Sequence, residues 1–155
     1  MANNRRNNKF LRAFTLIEVM LGALILIVVM LSIIATYIIC FELVYTSRNM
    51  TFAVNSAQMK MEEIKNHGFY NIFADYNNTT FDIDELPVGE SMGIVYVDNT
   101  NPDLLEVTIS VCWRQRGRII GEDSDLDGSL DLGEDLNGNG IIDSPAQLIS
   151  LITVR

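Results

Sequence analysis

The polar and apolar positions of this chain fall into successive patterns, each with its own period. From Val19 to Phe41 no residue is charged, and only Gly22, Ser32, Thr36 and Tyr37 interrupt the apolar run. Its 23 residues suffice to cross about 30 Å of hydrocarbon as a helix. Beyond it Leu43, Met50, Val54, Ala57, Met61 and Ile64 recur at intervals of 7, 4, 3, 4 and 3, which is one apolar helix face. No Pro or Gly lies between Ala23 and His67. The pattern predicts one helix over 14–66, apolar all round at about 19–41 and amphipathic afterwards. Gly68 follows Lys65 and His67 and is the expected C-cap.

The period then changes. Residues 69–89 hold turn formers and five aromatics (Phe69, Tyr70, Phe73, Tyr76, Phe81), read as an irregular connection packed onto the helix by its rings. Met92–Asp98 and Leu104–Arg114 alternate as half-buried strands do. In the second, Leu105, Val107, Ile109, Val111 and Trp113 share one face, and Glu106, Thr108, Ser110 and Cys112 the other. Arg118–Ile120 and Gln147–Arg155 complete an expected antiparallel meander with one face for a helix to cover. The fold class is α+β: a long N-terminal helix packed on a C-terminal antiparallel sheet over 67–155, with an acidic insertion at 122–143.

Charge sharpens this plan. The chain has 155 residues and a net charge of -9, but its first 13 residues carry Arg5, Arg6, Lys9 and Arg12 and no acid. Cations just before an apolar span place the N-terminus in the cytoplasm. The span is too long for a cleavable secretory signal, and "IICFELVYTS" offers no cleavage site. An acidic body repels phosphate, so nucleic acid is not an expected partner. Cys40 and Cys112 make no disulfide framework and read as small apolar residues. His67 reads as a helix end and Trp113 as a core anchor. No catalytic constellation or phosphate loop is present in the sequence, and no enzyme is expected.

The acidic stretch has a specific spacing. Glu122 to Asp143 hold eight carboxylates and no Lys or Arg. Asp123, Asp125 and Asp127 fall at positions 1, 3 and 5 of a twelve-residue loop, Gly128 at 6, Ser129 at 7, Asp131 at 9 and Glu134 at 12. That is the calcium-loop pattern at every ligand position, with Ser129 acting through its carbonyl. The chemistry follows from the ion: alternate residues of a tightly wound loop point inward, and hard oxygens suit Ca2+. A second, weaker copy follows with Asp135, Asn137, Asn139, Gly140, the Ile141 carbonyl and Asp143, but position 12 is Ala146. It either holds a second ion more weakly or completes the first site from outside. The flanks are not helices, so a structural clip is expected and not a sensor; a solvated, disordered acidic loop is the alternative.

Glu18 is the one charge that conflicts with the apolar block, since an unpaired carboxylate in lipid is costly. The leader, "AFTLIE", the long apolar helix and the closing sheet together resemble type IV prepilins and type II secretion pseudopilins. "NSAQMKMEEIKN" and the last strands are most similar to minor pilins of the PilV and pseudopilin I kind. The resemblance implies cleavage by a prepilin peptidase between Ala13 and Phe14, methylation of the Phe14 amine, and Glu18 acting in assembly. Ala13 stands where the family has Gly, which puts the rate of processing in doubt, and Ala35 where many members have a bend-forming Pro. The implied function is a structural subunit of a pilus or secretion filament. Its implied partners are other pilin subunits and the peptidase, and its implied place is the inner membrane, then a periplasmic or extracellular filament. The alternative is a membrane-anchored extracytoplasmic calcium-binding domain that does not polymerise.

Overall fold

The computed structural model describes residues 15–154. The expected leader at 1–13 and the Ala13–Phe14 junction lie outside the described residues. Helix α1 spans Leu16–Lys65, within two residues of the predicted ends. The chain divides into two compact units between Leu43 and Val44.

In the first unit the apolar side chains of α1 are exposed on every side, and the helix is long and apolar enough to span a membrane. The hydroxyls of Ser32 and Thr36 need no outside partner: Ser32 Oγ donates to the Val28 carbonyl (2.8 Å) and Thr36 Oγ1 to that of Ser32 (2.9 Å). Such back-bonding hides a polar group where water is absent. Glu18 lies in the first turn and is exposed, where a carboxylate suits the helix dipole.

In the second unit the remainder of α1 covers a five-stranded antiparallel sheet. Its buried residues are Ala53, Ser56, Ala57, Met61 and Ile64. The predicted stripe is therefore shifted: Leu43 is exposed and Val54 half-buried. The face turned to the sheet combines the small Ala53, Ser56 and Ala57 with the large, fully buried Met61 and Ile64. Against it lie Val95, Val97, Leu105, Val107, Ile109, Val111 and Trp113, so the expected apolar face of the long central strand is the core. At the hairpin beyond Trp113, the indole donates to Gln115 (3.2 Å), whose amide donates to Thr46 (2.6 Å) on α1.

Several expectations are corrected. Residues 69–89 are not irregular throughout: Phe69–Tyr76 form helix α2 and Thr79–Phe81 strand β1. Gly68 is not a left-handed C-cap; it is extended (φ −68°) and precedes α2 as its N-cap. Of the five aromatics, Phe69, Tyr76 and Phe81 pack on the core, while Tyr70 is 82% exposed. Nor is the sheet a meander. Strands β2 (Ser91–Asn101), β3 (Leu104–Gln115) and β4 (Arg118–Ile120) follow one another. Strand β5 (Ala146–Thr153), however, pairs with β3 and not with β4. Thus β4 takes the Trp113–Gln115 end of one β3 edge and β5 takes Leu104–Val111 of the same edge. The loop between them can then fold back over the sheet.

Candidate metal centre

The acidic loop leaves the sheet at Ile120 and returns at Ala146. Its neck is closed by the Glu122 N–H to the Asp143 carbonyl (2.9 Å). The Glu122 carboxylate accepts from the amides of Asp143 (3.1 Å) and Leu136 (3.3 Å), so it is a clasp holding the two halves of the loop. Ser144 Oγ donates to the Val111 carbonyl and fixes the return to β5. Neither role was visible in the ligand spacing.

The loop is anchored by a second hydrophobic cluster on the side of the sheet away from α1. Leu126 and Ile142 pack with Ile94 and Cys112, flanked by Met92, Tyr96, Ile119 and Leu130. The face of β3 read as polar is therefore covered too: Thr108, Ser110 and Cys112 are buried. Among the described residues no buried side-chain nitrogen or oxygen lacks a hydrogen-bond partner. Cys112 is free, and burial pushes its thiol up to about 11, so it serves as an apolar filler, as expected. Burial likewise raises the Tyr96 phenol, whose oxygen accepts from the Ile142 N–H (3.1 Å).

Around this anchor the five carboxylates of the first loop converge. One ligand oxygen each from Asp123, Asp125 and Glu134 lie within 4.8 Å of one another, as do those from Asp125, Asp127 and Asp131. Asp125 belongs to both groups, so all five predicted carboxylates form one connected set. Asp123 is 1% exposed. Its Oδ1 accepts from the amides of Leu126 (2.6 Å) and Asp127 (3.2 Å), and its Oδ2 from that of Gly128 (2.9 Å). Asp125 and Asp127 each accept from the amide two residues on. Glu134 reaches back: Oε1 accepts from the Ser124 amide and hydroxyl (2.7 and 2.6 Å), and Oε2 from the Asp131 amide (2.9 Å).

The two buried carboxylates respond in opposite directions. Burial raises the Asp123 carboxyl, against the lowering effect of the Gly128 and Leu126 amides. The Ser124 hydroxyl, then the Asp131 amide, hold Glu134 below the ordinary carboxylate range. Gly128 has φ +77° and abuts Thr80 of β1, where a Cβ would collide. Only glycine meets both demands.

The second loop repeats this backbone with an offset of twelve. Asp135 accepts from the amides of Gly138 (2.6 Å), Asn139 (3.0 Å) and Gly140 (2.9 Å), the counterparts of Leu126, Asp127 and Gly128. Asn137 and Asn139 accept from the amides of Asn139 and Ile141 (3.0 Å each). The chemistry of the centre differs. Asp143 Oδ2 accepts from the amide groups of Asn137 (2.5 Å) and Asn139 (2.9 Å), and Oδ1 from Gln147 (2.7 Å). Five carboxylates in the first loop thus correspond to two in the second, one of them held by three amide groups. The donor set of the first loop is all hard oxygen and fits a divalent cation such as Ca2+; the second set is nearly self-satisfied. Ser129 and Ile141 sit at the positions whose carbonyls would complete each site.

No family model, curated protein or solved structure matches this chain.

Proposed function

We propose that this chain is a non-enzymatic subunit, a minor pilin or pseudopilin, of a type IV pilus or type II secretion filament. Helix α1 would hold it in the inner membrane by a single pass, N-terminus cytoplasmic, before it joins a periplasmic or extracellular filament. The observation that carries this reading is the contrast along α1: apolar and uncovered in the first unit, core-forming in the second. A helix that is apolar all round requires lipid or other apolar helices about it.

In this reading prepilin peptidase cuts between Ala13 and Phe14, and the Phe14 amine is methylated. The new N-terminal charge of one subunit then has Glu18 of a neighbour as its partner. A buried charge left unpaired is costly, so the pair favours the register that joins them. Co-expression with a prepilin peptidase followed by N-terminal sequencing tests it: the chain should begin at Phe14, and a chain still beginning at Met1 overturns it.

The first acidic loop is the calcium clip of this subunit, with Asp123, Asp125, Asp127, Asp131, Glu134 and the Ser129 carbonyl as ligands. The converging carboxylates support it. Calcium should raise the melting temperature of the full chain in detergent; no shift up to about 10 mM, above the weakest affinities of extracellular calcium modules, counts against the site. The loop also supports a second reading, an anchored calcium-binding domain that never polymerises. Glu18→Ala separates the two: it abolishes filament incorporation in the first and changes nothing in the second.

A further inference from the structure

Asn137–Gly138 and Asn139–Gly140 are the two Asn-Gly pairs of the chain, side by side in the second loop. The backbone sets their glycines: φ is +75° at Gly138 and +78° at Gly140, where any other residue is strained. Asn-Gly is also the pair most open to deamidation, because no Cβ on the following residue hinders attack on the asparagine side chain. In that reaction the glycine nitrogen gives up its proton and bonds to Cγ of the asparagine. The Cγ–Nδ2 bond breaks, and the side-chain nitrogen leaves with that proton as ammonia. Water then opens the resulting succinimide to aspartate or isoaspartate. The net change is one amide and one water to one carboxylic acid and one ammonia.

All four residues are exposed, so burial does not shield them. One side chain holds both attacking nitrogens. The Gly138 N–H donates to Asp135 Oδ1 (2.6 Å) and the Gly140 N–H to Asp135 Oδ2 (2.9 Å). A nitrogen so held must lose its hydrogen bond before it can attack, and a carboxylate beside it disfavours its anion. The asparagine side chains are tied elsewhere. Nδ2 of Asn137 and of Asn139 donates to Asp143 Oδ2, and each Oδ1 accepts from the amide two residues on.

We infer that Asp135 guards the two Asn-Gly pairs against deamidation, one carboxylate oxygen to each attacking nitrogen, and that Asn137 and Asn139 are modification sites released when the loop opens. Conversion at either one replaces a donor to Asp143 with a like charge, which opposes reclosure of the loop. The test incubates the full chain in detergent with chelator, reads each asparagine by peptide mapping and mass spectrometry, and runs a free peptide of residues 134–144 beside it. The folded chain should convert at least about tenfold more slowly than the peptide. Asp135→Ala should speed both sites at least about tenfold; Asp135→Asn, which keeps one oxygen, should speed one site more than the other. Asp143→Ala frees the asparagine side chains and leaves both glycine nitrogens held, so it should change neither rate by more than about threefold. Any of four results overturns the inference: conversion of the folded chain as fast as the peptide, no acceleration in Asp135→Ala, equal acceleration of both sites in Asp135→Asn, or acceleration by Asp143→Ala as large as by Asp135→Ala, which would assign the protection to the side-chain tether.

Discussion

The two halves of the acidic loop share a backbone and differ in charge. In each, the first aspartate collects amides three, four and five residues on. In each, the fourth and sixth residues have positive φ: Leu126 (64°) and Gly128 (77°) against Gly138 (75°) and Gly140 (78°). The first half gathers five carboxylates, the second two. The difference turns on position 12. Glu134 is free to fold back onto its own loop, whereas Ala146 is already the first residue of β5, paired with Val111 and 1% exposed in the main core. A strand that must re-enter the sheet cannot also bring a bidentate carboxylate to the loop. One repeat thus gathers carboxylates that could hold a cation, and the other is the connection that returns the chain to the fold.

The most severe way to break this comparison is to complete the second repeat. Ala146→Glu should cost at least about 3–5 kcal/mol, since it buries an unpaired charge in the core. Urea unfolding would measure the loss, and a stable variant that takes up a second calcium as tightly as the first would show that strand re-entry is not the limit. Removing the first aspartate comes next. Asp123→Ala leaves three amides near the core without an acceptor and should cost about 3 kcal/mol, against about 1 kcal/mol for the half-buried counterpart Asp135→Ala. Thermal melts in calcium compare them, and equal losses would make the two halves equivalent.

Position 12 can also be weakened where it works. Glu134→Gln should reduce calcium affinity at least about tenfold, or about 1.4 kcal/mol, in a calorimetric titration; unchanged affinity would remove Glu134 from the ligand set. The smallest contrast lies at the turn glycines. Gly128→Ala meets both a positive φ and Thr80 and should cost about 2–3 kcal/mol, while Gly140→Ala meets only the φ and should cost about 1–2 kcal/mol. A larger loss at Gly140 would mean that the second loop, not the first, is the tightly packed one.

Much of this was legible in the residues. The apolar block and the 3.6-residue stripe predicted α1 to within two residues at either end. The period of two on β3 predicted which side chains meet the helix. These signals are local, repeated many times, and set by the geometry of one element. The short elements were missed for the opposite reason. β1 has three residues and exists only because Thr79–Phe81 find Val95–Gly93 of β2. Gly68 looked like a helix stop, but the next helix starts directly after it.

By itself the sequence determined the long helix, its apolar first part, the alternation of β3 and the twelve-residue spacing of the carboxylates, because each depends on neighbours in the chain. Only the tertiary structure decided that β5 pairs with β3, that the loop therefore folds back over the sheet, and that Leu126 and Ile142 bury the face holding Cys112. It also decided that Ala146 is a core residue and Glu122 a clasp. Those outcomes join residues distant in the chain, and such pairings are selected by burial and hydrogen-bond satisfaction across the whole fold, not by any local period.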